Sequence, residues 1–227
     1  MFPPMRDRES LHSPLKLQPL PIKGDWQGKI AYLDRDGVII RGFEDYVNTP
    51  DEVEVLNGAP KAIGDLRRQG FRICIVTNQS PVGRGIWTRD NLALIHDKVR
   101  SEISSADNDA ILDLTLHSPY APWHNSWARK PNPGMLEAGR QIIDAAESGI
   151  VLAEGDIKFG EDWNPRPSES SSVMVGDRNV DMEAAKSHGV RGFRCHPDKG
   201  LSDVITCLLY TSPSPRDATL SRMPSSA

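Results

Sequence analysis

Four short apolar runs, each ending on a polar residue, constrain this chain more than any other feature. "KIAYLD" (29–34), "FRICIVT" (71–77), "AILDLTLH" (110–117) and "SVMVGD" (172–177) have the length and apolar content of strands buried on both faces. The segments between them carry helical spacing. Ala59, Ala62, Ile63 and Leu66 share a face, with Pro60 near the start and Gly70 past the end. Thr88 is placed to cap a helix whose apolar face is Leu92, Ile95, Val99 and Ile103. Asn132 and Pro133 open a third helix, with Met135, Leu136, Gly139, Ile142 and Ile143 on one face and Gly149 as its stop. "NVDMEAAKSHG" (179–189) makes a short helix and "RGFRC" (191–195) a fifth strand. Strands alternating with helices imply right-handed crossovers and a parallel sheet covered on both faces. The expected fold is a Rossmann-like three-layer α/β/α sandwich with a mainly parallel central sheet and no large cap domain. Ligands of such sheets sit at the carboxyl ends of the strands.

The flanks behave differently. Residues 1–27 hold five prolines and no clean periodicity, which suggests a flexible or surface-hugging arm before a domain spanning 28–206. Residues 149–171 exceed an ordinary helix-to-strand loop and suggest a surface insertion. Residues 207–227 abandon core-like patterning and resemble translated adapter sequence, or a natural disordered tail. The net charge of −4 argues against a dedicated nucleic-acid binder. No apolar run approaches a membrane span, and the first ten residues lack the apolar core of a secretory signal, so a cytoplasmic protein without membrane contact is expected. Cys74, Cys195 and Cys207 form no CxxC pair and point to neither a disulfide framework nor a cysteine zinc site.

The polar strand ends carry the chemistry. Asp34 and Asp36 follow the first strand; two neighbouring carboxylates hold a divalent cation, or divide into nucleophile and acid, though such a pair is more often a turn or cap. Thr77, Asn78, Gln79 and Ser80 follow the second, a hydroxyl and backbone N–H groups suited to phosphate oxygens. Arg129 and Lys130 follow the third, and Asp177 and Asp181 the fourth. Asp181 has two readings of equal weight, orienting Lys130 or a metal-bound water, and capping the helix that follows. Other polar residues look structural. His96 reads as packing or surface, His188 as favouring a helix C-terminus, and residues 67–69 as a solvated face.

"DRDGV", "TNQS", "RKP" and "GDRNVD", in this order, resemble the four motifs of the haloacid dehalogenase superfamily of phosphotransferases. The resemblance implies that Asp34 attacks phosphorus as nucleophile and that Asp36 is general acid and base. It implies Mg²⁺ held by Asp34, the Asp36 carbonyl and Asp177, with Thr77 and Lys130 stabilising the transferring phosphoryl group. "LDRDGVI", "GAPKAIGDLRRQGFRICIVTNQS" and "RKPNPGML" narrow it to the branch of histidinol-phosphate and heptose 1,7-bisphosphate phosphatases. Residues 37–76 must already supply a flap, a helix and a strand, so no cap fits there.

Within the branch, "TNQSPVGRGIWT" with Arg84, Gly85 and Trp87, and Tyr46 in "EDYVNTP", resemble the heptose enzymes rather than the histidinol-phosphate ones. That resemblance implies a small phosphorylated sugar as substrate, contacted by Tyr46, Asn78, Gln79, Ser80, Arg84 and Arg129, and a monomeric enzyme. Ile40, where Asn is usual, departs from the pattern. A DNA 3′-phosphatase shares "TNQ" and "GRG" and is a rival reading, as is a non-catalytic protein that kept the fold. Many relatives carry a zinc loop before Arg-Lys-Pro. Aligned on it, Ser118, Tyr120, Ser126 and Ala128 occupy the ligand positions, so no zinc is expected. Pro119, Pro122, Tyr120, Trp123 and Trp127 are expected to stiffen the loop instead.

Overall fold

A computed structural model describes residues 2–210. Nearly all of the stretch expected to be a tail or artefact lies outside the described residues. The strands are β1 (Met5–Arg6), β2 (Ile30–Leu33), β3 (Arg72–Asn78), β4 (Leu114–Ser118), β5 (Val173–Gly176) and β6 (Arg191–Arg194). The helices are α1 (Ala59–Arg68), α2 (Ser80–Gly83), α3 (Arg89–Ala106), α4 (Gly134–Glu147), α5 (Asn179–His188) and α6 (Ile205–Tyr210). One sheet has the order β1-β4-β3-β2-β5-β6. It is parallel except at its edge, where β1 runs antiparallel to β4 with Met5 opposite His117. The chain thus has the expected mixed α/β fold. Among the described residues no helix is long and apolar enough to cross a membrane.

Strand alternation divides the core. Ala31, Leu33, Ile73 and Ile75 face one side, where Ile63 and Leu66 of α1 and Ile95 and Val99 of α3 cover them. Ile30, Tyr32, Cys74 and Val76 face the other, against Met135, Ile142 and Ile143 of α4 and Ala184 of α5. Every one of these side chains is withdrawn from water, each contributing roughly 1.5–3 kcal/mol where the side chain is large. α3 starts as expected, with the Asn91 N–H donating to Thr88 Oγ1 at 3.1 Å.

Two segments differ from their expectations. The run 110–117 becomes a strand only from Leu114, because Asp113 Oδ2 accepts the Ile73 N–H at 2.8 Å and terminates the ladder there. Residues 67–69 are not a uniformly solvated face. Arg67 is completely buried, and Asp113 binds it at 2.6 Å and Arg72 at 3.0 Å. The proline-rich arm, read as flexible or surface-hugging, lies against the domain: the carbonyls of Gln18 and Pro19 accept from Arg72 and Arg67, and β1 closes the sheet edge.

Asp113→Asn keeps an acceptor for the Ile73 N–H but leaves two buried guanidinium groups without their shared carboxylate. Breaking such a pair costs about 3 kcal/mol or more. Calorimetry should show a Tm lower by roughly 10 °C. An unchanged Tm would mean that this buried network contributes nothing to stability.

Residues 149–171 lie mostly on the surface and hold one 3₁₀ turn, Gly160–Asp162. Their end is anchored by Glu169, which accepts from Arg140 at 2.8 and 2.6 Å and lies 3.0 Å from His188 Nε2. His188 is therefore a buried partner of this segment, beyond the helix-end role expected of it.

Candidate active site

The carboxyl ends of β2, β3 and β5 open into a cavity of about 510 Å³. Asp34, Asp36, Tyr46, Thr77, Asn78, Lys130 and Asp177 line it. A larger cleft of about 910 Å³ lies elsewhere, between the 149–171 segment and α4, lined by Trp127, Glu137, Trp163 and Arg166. None of the strand-end carboxylates reaches it, so the smaller cavity is the candidate site.

Two glycines allow the acids to converge. The Asp34 N–H donates to Val175 O at 3.0 Å, continuing the β2–β5 ladder one residue past the strand. The chain then turns at Gly37, whose φ is +75°. A Cβ there would lie 2.6 Å from Asp177 Oδ2, so the turn needs glycine on both counts. At the end of β5, a Cβ on Gly176 would lie 2.2 Å from Asp181 Cβ, and its absence lets α5 begin against the strand.

Carboxylate oxygens of Asp34, Asp177 and Asp181 lie within 4.8 Å of one another. Lys130 sits among them, 2% exposed, with Nζ 2.9 Å from Asp34 Oδ2 and 2.6 Å from Asp181 Oδ1. Burial alone would lower its pKa; the two carboxylates outweigh burial and raise it, so the ammonium is kept. Asp181 makes contacts on two sides. Its Oδ1 pairs with Lys130 while Oδ2 accepts the Arg178 N–H at 3.0 Å and caps α5.

Asp177 lacks such a partner among the described residues. Burial, then the charges of Asp34 and Asp181, push it up to about 6, and its Oδ1 accepts no hydrogen bond from them. Its folded pKa lies above the usual carboxylate value of about 3.9. The protonated form is favoured by folding, so this stabilisation is complete below about pH 4 and is lost as pH rises through about 6. Asp177→Asn should therefore raise the Tm of the metal-free protein at about pH 8 and leave it nearly unchanged at about pH 4. An equal shift at both values would mean that charge is not the cause.

The remaining nominated residues divide into cavity wall and support. Asn78 clasps the Lys130 backbone: its Oδ1 accepts the Lys130 N–H at 3.1 Å and its Nδ2 donates to the Lys130 carbonyl at 3.0 Å. Gln79 and Ser80 are buried outside the wall. Gln79 donates to Thr77 Oγ1 at 2.8 Å and to Asp36 Oδ2 at 3.0 Å, and its N–H is taken by Ser118 O. Arg84 is exposed and donates to the Tyr46 hydroxyl at 3.3 Å, while the Tyr46 ring meets Trp87 edge-on at 5.7 Å. Arg129 is half-buried, donating to Tyr120 O at 2.9 Å.

Sequence reasoning missed Arg178, Phe43 and Arg35. Arg178 lines the cavity directly after Asp177, a position that could have flagged it. Phe43 lies on the flap, where nothing in its spacing marks it. Arg35, 1% exposed, grips both oxygens of Asp36 through three hydrogen bonds of 3.0–3.1 Å. Its place between two aspartates was the available signal.

The loop between β4 and Lys130 is held from outside. Tyr120 Oη donates to Pro3 O at 2.9 Å and Ser126 Oγ to Phe2 O at 3.2 Å, while the Phe2 and Tyr120 rings lie 5.3 Å apart. Trp127 donates to Glu137 Oε2 at 2.7 Å. Trp123, expected to stiffen the loop, is 72% exposed.

The chain is similar to known hydrolases. A family model described as HAD-hydrolase-like matches residues 127–195. The D-glycero-alpha-D-manno-heptose-1,7-bisphosphate 7-phosphatase of Photorhabdus laumondii is 30% identical over 169 residues, 71% of this chain and 79% of that protein. The corresponding beta-anomer phosphatase of Pseudomonas aeruginosa is 35% identical over 158 residues, 70% of this chain and 75% of that protein. The crystal structure of the heptose 1,7-bisphosphate phosphatase of B. bronchiseptica, complexed with magnesium and phosphate, superposes with a TM-score of 0.59 at 26% identity, covering 80% of this chain and 98% of that one. A cavity of strand-end carboxylates around a buried lysine, on a fold shared with these enzymes, places the chain in the haloacid dehalogenase family of phosphoric monoester hydrolases, in the branch that holds the heptose bisphosphate phosphatases.

Proposed function

We propose that the protein is a Mg²⁺-dependent phosphatase that removes the 7-phosphate of D-glycero-D-manno-heptose 1,7-bisphosphate through an aspartyl-phosphate. The reading rests on the buried Lys130 beside Asp34, set against relatives that bear this activity in their names. The uncompensated acids of the cavity suit a divalent cation. Asp34, the Asp36 carbonyl and Asp177 would hold it, and the orphaned Asp177 Oδ1 and that residue's raised pKa fit a missing positive charge. Bound there, Mg²⁺ neutralises charge between an anionic nucleophile and an anionic ester.

Asp34 attacks phosphorus while the ester P–O bond breaks, and the leaving sugar oxygen takes a proton from Asp36. Water then attacks the aspartyl-phosphate. Its proton goes to Asp36, the bond to Asp34 breaks, and inorganic phosphate leaves. Lys130 and Thr77 offset the charge on the transferring phosphoryl oxygens. The second phosphate is the task of arginines. Arg178 lines the cavity, and half-buried Arg129 stands near enough to it that their charges oppose each other. Arg84, with Tyr46, stands at the flap. The cavity volume suits one small phosphorylated sugar. The enzyme works in the cytoplasm as a monomer, without zinc, nucleic acid or membrane.

Purified protein should release phosphate from the heptose bisphosphate in Mg²⁺ and stop when EDTA is added. A higher kcat/KM for histidinol phosphate, or for a 3′-phosphorylated oligonucleotide, would reassign the substrate. No turnover of any phosphate ester would leave a binding protein. Stoichiometric zinc in elemental analysis would overturn the zinc-free reading of the loop.

A further inference from the structure

The N-terminal arm reaches the candidate site through a buried chain of polar contacts. Pairing of β1 with β4 brings Asp7, the residue after β1, against α3. There its Oδ1 lies 3.2 Å from His96 Nδ1, and its Oδ2 is held by Arg100. The Asp7 side chain is 6% exposed and that of His96 3%. His96 Nε2 lies 3.3 Å from Arg35 Nη1. A guanidinium is always protonated, so Nε2 is the acceptor and the imidazole proton sits on Nδ1, facing Asp7. The Asp7–His96 contact is close in distance but off hydrogen-bond alignment. Arg35 carries the chain onward with three bonds to Asp36. The other groups around His96 are Arg100 on α3 and His117 on β4, whose ring lies 6.2 Å away and which burial keeps neutral.

Filling this space requires no charge. Burying a guanidinium and a carboxylate costs several kcal/mol that packed apolar side chains would not. What the polar chain provides is orientation. Among the described residues, only Gln79 holds the Asp36 carboxylate besides Arg35, and it reaches Oδ2 alone.

We propose that Asp7, His96 and Arg35 are positioning residues for the second half of the reaction. Asp7 fixes the place of His96, His96 fixes Arg35, and Arg35 holds Asp36 where it takes the proton of the attacking water. The proposal rests on the reading of Asp36 as base given above. It makes the arm a working part of the site.

p-Nitrophenyl phosphate separates the two halves. Its aryl oxide leaves without needing a proton, so forming the aspartyl-phosphate does not call on Asp36, whereas hydrolysing it does. In rapid mixing of the full chain with this ester and saturating Mg²⁺, Asp7→Ala should show a stoichiometric burst of nitrophenolate and then slow turnover. kcat should fall about tenfold, part of the roughly 10²–10⁴-fold a positioned proton acceptor contributes. KM should fall in step and leave kcat/KM unchanged. Asp7→Asn, which retains an acceptor for Nδ1–H, should recover most of the loss, and His96→Leu should repeat the burst. Asp36→Asn should give the same burst with a deeper loss. A fall in kcat/KM without a burst in Asp7→Ala and His96→Leu, while Asp36→Asn does burst, overturns the proposal and assigns both residues to structure. Absence of a burst in Asp36→Asn overturns the reading of Asp36 as base, and the proposal with it.

Discussion

Asp34→Asn should reduce Mg²⁺-dependent phosphate release by at least about 10⁴-fold while the protein stays folded. Among the described residues, this carboxylate is the only anion that Lys130 holds at the cavity wall; its other partner, Asp181, is completely buried. An amide is isosteric with it but carries no negative charge to attack phosphorus. The fold tolerates the change. Asn retains an acceptor for the Arg35 N–H, which Asp34 Oδ1 now accepts at 2.8 Å, and Lys130 keeps its 2.6 Å contact with Asp181. Turnover of the heptose bisphosphate and the thermal transition should be measured on the same preparation. Activity within tenfold of wild type would move the nucleophile elsewhere. Lost activity with a collapsed transition would say nothing of chemistry, and the retained contacts predict against that outcome.

The fold was legible because its signals are local. "KIAYLD" and "SVMVGD" are buried on both faces, and a run of that kind admits few alternatives to a central parallel strand. The convergence of Asp34, Thr77, Lys130 and Asp177 on one cavity follows from the same rule, since parallel strands place all their carboxyl ends on one edge. What was not legible depends on contacts between distant segments. β1 is two residues long, too short for any periodicity, and its partner lies more than a hundred residues away. Asp7 is one charge in a charged stretch until that pairing buries it beside His96. Arg67 looked solvated because it opens a run of three polar residues; Asp113, just before β4, and the Pro19 carbonyl give it partners inside.

The arm bears on the loop question as well. Two of the four residues at the ligand positions of a zinc loop, Tyr120 and Ser126, donate to carbonyls of Phe2 and Pro3. A third, Ala128, is 1% exposed and has its N–H bonded to Ser126 Oγ at 3.2 Å. Local proline and tryptophan content suggested a loop stiff by itself, but hydrogen bonds from outside the loop supply a share of the restraint. The arm thus touches both sides of the site: the loop that presents Lys130, and the buried chain that ends at Asp36.

Lys130→Met should lower kcat/KM by about 10³-fold, the upper end of what removing one charge-stabilising group costs, and should also destabilise the protein. The two effects have different causes and separate experimentally. Wild-type Lys130 has a folded pKa above its unfolded value of about 10.4, so its stabilising contribution is complete at neutral pH and is lost only as pH rises through the folded value. Without it, Asp34 and Asp181 face each other across a buried gap, and removing one partner of a buried pair costs about 3–5 kcal/mol. Burial already raises the Asp181 pKa against the pull of Lys130, and without that pull it rises further. A proton then relieves the strain. The stability deficit of Lys130→Met should shrink as pH falls from about 8 towards the ordinary carboxylate range near 4, read as Tm against pH. Adding Asp181→Asn should restore stability at neutral pH, because Asn retains an acceptor for the Arg178 N–H that caps α5. It should restore no activity, because the cation facing the phosphoryl group is still missing. A double variant no more stable than Lys130→Met would show that lost packing, rather than unpaired charge, sets the cost. Recovery of activity in the double variant would remove Lys130 from the chemistry and leave it the task of separating two acids.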